Sequence, residues 1–316
     1  MNRILVTGGA GFIGGFVVEQ LLSAGKAVRV LDDLSTGSMD TLDGLVGNLE
    51  FQRGDIRDEK AVRAAVADVS GIIHLAADIS VPDSLNNPLH TYSVNVMGTL
   101  TVLEEARRAG VESCVIASSA AVYGEPVGSK QSEDSPTLPL SPYGASKLEC
   151  EQLASLYSRA FAVPTLCLRL FNVYGPRQRH DSPYAAVIPI FLSRMMQGLP
   201  PQVFGDGQQR RDFVFVGDVA RALIGALGHP ELAPGVYNVA SGTSCNLLDL
   251  IAEINRSLGT ALQPEFLPER KGDIRESVAD ISRARHELGF SPAVSLAEGI
   301  SRIVHERVVP TEAVGG

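Results

Sequence analysis

Ile4-Leu5-Val6-Thr7-Gly8-Gly9-Ala10-Gly11-Phe12-Ile13-Gly14 decides the fold, because an apolar run stops at glycines spaced three apart and a helical pattern through Leu22 follows. Strand, GxxGxxG and helix in that order predict a turn whose backbone lies open to a dinucleotide. Gly8 permits the tight turn. Gly11, leading into Phe12 and Ile13, lets the backbone approach a pyrophosphate under the helix N-terminus, and Gly14 lets helix and strand pack closely. A second apolar run, Ala27 to Leu31, ends in Asp32-Asp33 at the spacing this motif requires. An acid there accepts hydrogen bonds from the adenosine ribose and repels a 2′-phosphate, and no arginine follows nearby to receive one. The expected cofactor is therefore NAD rather than NADP, with Ser35, Thr36 and Gly37 completing this side of the site.

Further along, Leu49 to Arg53, Gly71 to Leu75, Ser113 to Ala117 and Pro164 to Leu170 are short apolar runs separated by longer periodic segments. That rhythm predicts an α/β fold, a Rossmann-type doubly wound parallel sheet. After Asn172 the pattern breaks at Gly175-Pro176, Pro183, Pro189, Pro200-Pro201 and Gly205-Asp206-Gly207. Phe213 to Val216 and a helix from Asp218 to Leu227 then look like a return to the sheet. The expected division is a cofactor domain of residues 1–171 plus about 213–240. A smaller, interleaved C-terminal substrate domain takes 172–212 plus about 241–316.

The chain has 316 residues, 45% of them hydrophobic and 20% charged, enough for such a two-part molecule and too apolar for disorder. A formal net charge of −9 argues against a nucleic-acid or anionic-membrane surface, so an anionic ligand must be met by a local basic cluster. Cys114, Cys150, Cys167 and Cys245 lie far apart, without metal-ligand spacing, and read as small hydrophobes; no metal site is expected. No apolar stretch reaches membrane-spanning length, and the opening residues enter a strand at once, so a cytoplasmic location is expected.

Ser141-Pro142-Tyr143-Gly144-Ala145-Ser146-Lys147 carries the chemistry. Four-residue spacing stacks the Tyr143 phenol beside the Lys147 ammonium on one helix face. A cation within a few ångströms stabilises a phenolate, which turns a weak acid into a base.

Taken together, TGGAGFIG, YGASK and Ser118-Ser119-Ala120-Ala121-Val122-Tyr123-Gly124 resemble the extended short-chain dehydrogenase/reductase family, specifically its nucleotide-sugar 4-epimerases of the UDP-galactose epimerase type. The resemblance covers nearly the whole length. It includes His74-Leu75-Ala76-Ala77, Asn95-Val96-Met97-Gly98-Thr99, Leu168 to Pro176 and Arg211 to Val216. Two departures stand out: Gly15-Phe16 replace a common Ser-His, and Ala121 replaces a frequent Thr.

The resemblance implies that Tyr143 takes the proton of a sugar 4-hydroxyl, that Lys147 lowers its pKa and binds the nicotinamide ribose, and that Ser119, beside Ser118, bonds the same oxygen. Hydride would leave C4 for NAD and return to the other face of a 4-keto sugar. It further implies that Asn172, Arg211 and Arg270 meet the diphosphate of a UDP-sugar, Asp273 the uridine ribose and Phe204 the uracil. Asp55-Ile56 would meet the adenine, and Leu75, Ala76, Ala77 and Asn95 would lie on the cofactor side. Ser277 occupies a gate beside the pyranose, small enough to admit an N-acetyl group. Arg177 and Arg179 follow the sugar-binding turn and reach toward a C6 carboxylate, which keeps UDP-glucuronate in view. Family dimers use two helices, here Thr91 to Arg108 and Pro142 to Phe161, so a homodimer is expected.

Each motif has a plainer meaning. Ser118 and Ser119 can simply end a strand, Arg210-Arg211 can be a solvated pair, Arg270-Lys271-Gly272-Asp273 an ordinary loop, and Asn95 a helix cap. His74 and His180 read as structural. Among enzymes on this scaffold, dehydratases and decarboxylases need an acid beside the serine, where this chain has Ala120 and Ala121. A non-catalytic NAD-sensing protein is the alternative of another class, opposed by the intact Ser119, Tyr143 and Lys147.

Overall fold

The computed structural model describes residues 3–126, 128–179, 186–269 and 275–308, with residues 307 and 308 described by backbone only. Seven parallel strands form the central sheet: β1 (Arg3–Thr7), β2 (Ala27–Asp32), β3 (Leu49–Arg53), β4 (Val69–His74), β5 (Ser113–Ser119), β6 (Thr165–Leu170) and β7 (Gly235–Val239). Their spatial order is β7-β6-β5-β4-β1-β2-β3, so the winding reverses between β1 and β4. In open α/β sheets that reversal opens a crevice at the carboxyl ends of the strands.

Both faces of the sheet are covered, which is why its strands read as near-continuous apolar runs. Helix α1 (Phe12–Ser23) and a helix at Val216–Ala226 cover one face, where Val17, Val18 and Leu21 meet Val219, Leu223 and Ala226. The opposite face is covered by α2 (Glu59–Val66), α3 (Gly98–Ala109) and α4 (Pro142–Phe161), through Val62, Val66, Leu103, Ala106 and Ala154. Helix α4 starts cleanly because Ser141 caps it, its Oγ accepting from the Gly144 N–H at 3.1 Å, with Pro142 in the first turn.

A third core gathers Tyr174, Phe191, Phe213, Phe215, Leu250, Ile254 and Ile300. Around it the chain makes small pairings. Asn172–Tyr174 lies parallel to Phe213–Phe215, and Arg210–Arg211 sits between Cys245–Asn246 and Glu276–Ser277. The expected return through Phe213 is therefore corrected. Phe213–Phe215 pairs outside the main sheet, and the chain rejoins that sheet by Gly235–Val239, beside β6. Asn238 breaks the apolar pattern of that strand, yet it is completely buried: its Oδ1 accepts the Tyr123 hydroxyl at 2.6 Å, and its Nδ2 donates to the carbonyls of Gln131 and Asp280.

One ion pair is sealed inside. Arg169 on β6 forks onto Glu151 of α4 at 2.9 and 2.7 Å, both groups nearly inaccessible, and the guanidinium lies 4.7 Å over the Tyr123 ring. Removing one partner of such a pair strands the other charge. Glu151→Ala should lower stability by about 3–5 kcal/mol in urea denaturation. A loss under about 1 kcal/mol would show that Arg169 finds another partner.

Candidate active site

Gly8 adopts φ +71, and a Cβ there would stand 2.7 Å from the Ala76 nitrogen. At Gly14 a Cβ would stand 2.1 Å from the Gly8 carbonyl oxygen, so this glycine serves packing against the loop itself. Gly11 is the N-cap of α1 and offers no side-chain cap, which leaves the first N–H groups of the helix facing the crevice. Gly37 closes against Ala10, where a Cβ would lie 2.9 Å from the carbonyl carbon.

At the end of β2 the two acids differ. Asp32 is buried and accepts from the Ala10 N–H at 3.0 Å and the Leu34 N–H at 2.8 Å, while burial pushes its carboxyl above the usual range. Asp33 is exposed, with one oxygen accepting from the Ser35 N–H at 2.9 Å. Both line a cleft of 310 Å³, together with the glycines Gly8, Gly11 and Gly14, Phe12, Ile13, Ser35 and Thr36, then Leu75, Ala76 and Ala77. The far wall is Ser118, Ser119, Tyr143 and Lys147. The sequence-predicted cofactor residues therefore converge, with exceptions. Gly37, Asp55, Ile56 and Asn95 are not among the lining residues. Asp55 turns to Arg57, whose ion pair holds its carboxyl below the usual range, and Ile56 is buried under Gly98. Asn95 is spent on structure: Oδ1 accepts from the Asp78 N–H at 2.7 Å, and Nδ2 donates to the Asp78 carbonyl and to Ser146 Oγ, each at 2.9 Å.

Lys147 is buried, and its ammonium donates to the Ala117 carbonyl at 2.9 Å, which ties α4 to the end of β5. Tyr143 sits one turn earlier in α4, its N–H donating to Ser84 Oγ at 3.2 Å. Ser119 caps the short turn after β5, accepting from the Ala121 N–H at 3.1 Å. Ser118 points the other way and donates to Glu151 at 2.5 Å, so its hydroxyl belongs to the buried ion pair.

Beyond this wall the crevice continues. Ser119 and Tyr143 also line a 320 Å³ chamber with Ala120, Ala121, Asn172, Arg211 and Ser277. Asn172 and Arg211 in turn line an outer chamber of 530 Å³ with Phe204 and Gln209. The three spaces share lining residues, which connects the glycine loop to Phe204. Next to Arg211 in the chain, Asp212 is fully buried; it accepts from Ser241, Gly242 and Ala279 and presents its own carbonyl to Asn172 Nδ2 at 3.1 Å. Burial pushes its carboxyl up. No role for this acid follows from the sequence alone; a lone carboxylate directly before the apolar run Phe213 to Val216 is the available signal.

Arg177 departs from expectation. It donates to Glu19 of α1 at 2.7 Å, and its guanidinium lies 3.9 Å over the Phe16 ring. Phe16, one of the two departures in the opening helix, is thus the platform for that arginine. Arg179 is not among the residues lining the three spaces. Arg270, Asp273 and His180 lie outside the described residues.

His74 supports the cleft without entering it. Thr7 Oγ1 accepts from the Leu75 and Ala76 N–H groups and therefore turns its own proton to His74 Nδ1 at 2.7 Å, while Nε2 donates to Thr99 Oγ1 at 2.9 Å. Complete burial, with Lys147 nearby, moves its pKa down to about 3.

A Rossmann sheet with a glycine cradle, an acid-ended second strand and a Tyr-Lys helix defines a dinucleotide-dependent enzyme class. The chain belongs to the NAD dependent epimerase/dehydratase family, whose model matches residues 4–240. It is 40% identical over 314 residues to a UDP-glucose 4-epimerase of Mycolicibacterium smegmatis, covering 96% of this chain and 97% of that one. Among solved structures it resembles the UDP-N-acetylglucosamine 4-epimerase of Methanobrevibacter ruminantium M1 in complex with UDP-N-acetylmuramic acid. That match has a TM-score of 0.92 at 35% identity and covers 97% of this chain and 98% of the other. A mutant UDP-glucuronic acid 4-epimerase of Bacillus cereus, in complex with a fluorinated UDP-glucuronic acid and NAD, matches with a TM-score of 0.87 at 32% identity, covering 95% and 97%.

Two outcomes test the site's framework. Gly14→Ala should cost about 1–3 kcal/mol by overpacking and weaken NAD binding in calorimetry; unchanged affinity would show that the loop moves freely. Because the folded pKa of His74 lies below its unfolded value, the folded state binds fewer protons between about pH 6.5 and 3. Stability should therefore fall on acidification, by up to about 1.4 kcal/mol per pH unit from this group. His74→Gln should flatten that slope between pH 7 and 5, and an unchanged slope would acquit the histidine.

Proposed function

We propose that the protein is an NAD-dependent 4-epimerase of UDP-sugars. The observation that carries this reading is the shared wall: the Tyr143 phenol and the Ser119 hydroxyl line both the dinucleotide cleft and the adjoining chamber. A sugar C4 placed there would face nicotinamide on one side and a base on the other. NAD, when bound, supplies the acceptor and later the donor of the C4 hydride. Tyr143 takes the 4-hydroxyl proton and returns it, Ser119 bonds the same oxygen, and Lys147, fixed by Ala117, stands one helical turn behind.

The cradle suits the cofactor. Helix α1 presents uncapped N–H groups to a pyrophosphate, and exposed Asp33 with buried Asp32 faces the ribose. Asn172 and Arg211 would hold the substrate diphosphate and Phe204 the uracil, with Arg270 and Asp273 completing that set and Ser277 at the pyranose. Residues 1–171 with about 213–240 are assigned to the cofactor, and 172–212 with about 241–316 to the nucleotide sugar.

Glucose/galactose, glucuronate/galacturonate and N-acetylhexosamine substrates all fit this scheme. With Arg177 bound to α1, the hexuronate reading keeps only Arg179 of the two cations that motivated it. Dehydration or decarboxylation is disfavoured because Ala120 and Ala121 line the sugar chamber in place of an acid. A homodimer through α3 and α4 is proposed as well. Leu103 is completely buried and belongs to the core, whereas Met97, Leu156 and Phe161 are exposed at 55%, 47% and 48% and suit a partner copy. No described helix is long and apolar enough to cross a membrane, and we place the protein in the cytoplasm.

Tyr143→Phe removes only the ionisable oxygen. It should lower UDP-sugar turnover by at least about a hundredfold while NAD and UDP affinities stay within about twofold. Wild-type turnover in that variant would remove Tyr143 as the base; a protein that binds NAD and UDP yet never epimerises would favour the sensing alternative.

A further inference from the structure

On the turn that follows Asn172–Tyr174, Arg177 adopts φ +63, a left-handed conformation that an arginine keeps only where its surroundings enforce it. The partners that enforce it lie on the cofactor helix. Its guanidinium donates to Glu19 at 2.7 Å and lies 3.9 Å over the Phe16 ring, and Phe16 meets Phe12 edge to face with ring centroids 6.2 Å apart. Phe12 lines the dinucleotide cleft. At the other end of the turn, Asn172–Tyr174 is fixed by pairing with Phe213–Phe215, and Gly175 packs so closely on Val216 that a Cβ would stand 2.4 Å from its Cγ1. Asn172 lines both chambers beyond the cleft. Directly after Arg177, Gln178 lines the dinucleotide cleft with Tyr143 and Val173, its Nε2 donating to the Val173 carbonyl at 3.1 Å. The left-handed step at 177 thus puts one side chain on α1 and the next in the cleft.

A half-exposed ion pair contributes little to stability, and a left-handed arginine costs energy, so these contacts offset the strain rather than add to the fold. What they do is join two sites. We propose that Arg177 is a positioning residue that latches the turn 172–178 onto α1, holding Gln178 at the dinucleotide cleft while Asn172 faces the sugar chambers. The sugar half of this inference rests on the epimerase reading; the cofactor half rests on the cleft alone. Loosening the latch weakens the binding of both ligands and leaves the chemical step in place, because Ser119, Tyr143 and Lys147 are mounted on β5 and α4.

The test uses Arg177→Gly, which takes the same φ without strain and deletes both contacts to α1. NAD affinity is measured by calorimetry on protein freed of cofactor, and KM and kcat on whichever of UDP-glucose, UDP-N-acetylglucosamine and UDP-glucuronate wild type turns over fastest. NAD should bind about fivefold more weakly and KM should rise about fivefold, as the loss of one charge pair and one cation–π contact implies. By contrast, kcat should stay within about twofold and the thermal midpoint within about 4 °C. Glu19→Ala should act in the same direction, and adding it to Arg177→Gly should change nothing further, since both remove the same bond. Unchanged NAD affinity and KM in Arg177→Gly, a fall in kcat alone, or fully additive losses in the double variant would each overturn the latch. If Arg177→Gly fails to fold, Glu19→Ala and Phe16→Leu decide instead, and wild-type NAD affinity and KM in both would overturn it. If wild type turns over none of the three sugars, the epimerase reading fails separately, and NAD affinity still decides Arg177.

Discussion

Two contacts fasten the end of β5 to α4, Lys147 to the Ala117 carbonyl and Ser118 to Glu151, and Glu151 continues onward to Arg169 of β6. Residues 143, 147 and 151 recur every four positions, so one helix face supplies the phenol, the ammonium and the carboxylate that ties α4 to β5 and β6. The chamber walls inherit their geometry from this joint, since Ser119 follows Ser118 directly and Tyr143 stands one turn before Lys147. The carboxylate and guanidinium are nearly inaccessible to water, which makes the joint intolerant of losing either one.

From this joint the crevice extends in two directions, and each direction handles negative charge without help from the overall field. The protein carries a net −9, so attraction of a dinucleotide or a nucleotide sugar has to be local. On one side the uncapped start of α1 provides backbone N–H groups. On the other, Arg211 and Asn172 are set in place by short pairings organised around buried Asp212.

Much of this was legible in the chain because it is written in short-range signals. Glycine spacing, the acids after the second apolar run and the four-residue Tyr-Lys interval each depend on a few neighbours, and all of those residues reach the cleft. What escaped depends on distant partners. Asn238 hides a strand because an amide in mid-run looks like a loop until its bonds to Tyr123, Gln131 and Asp280 are seen. Arg177 looked like a ligand group because Glu19 and Phe16, which engage it, lie far back in the sequence. Asn95 and Ser118 likewise carry the right residue type in the right region, but their hydrogen bonds are taken up by Asp78, Ser146 and Glu151.

Gly8 and Gly14 form an interlocked pair. The Gly8 carbonyl occupies the space a side chain at 14 would need, and Gly8 keeps that carbonyl there by a left-handed φ that other residues adopt only under strain. Neither position can be altered alone without disturbing its counterpart. Any evolutionary or engineered route to a different nucleotide loop in this protein must therefore move both at once, whereas the chamber beyond Tyr143 is open to change one side chain at a time.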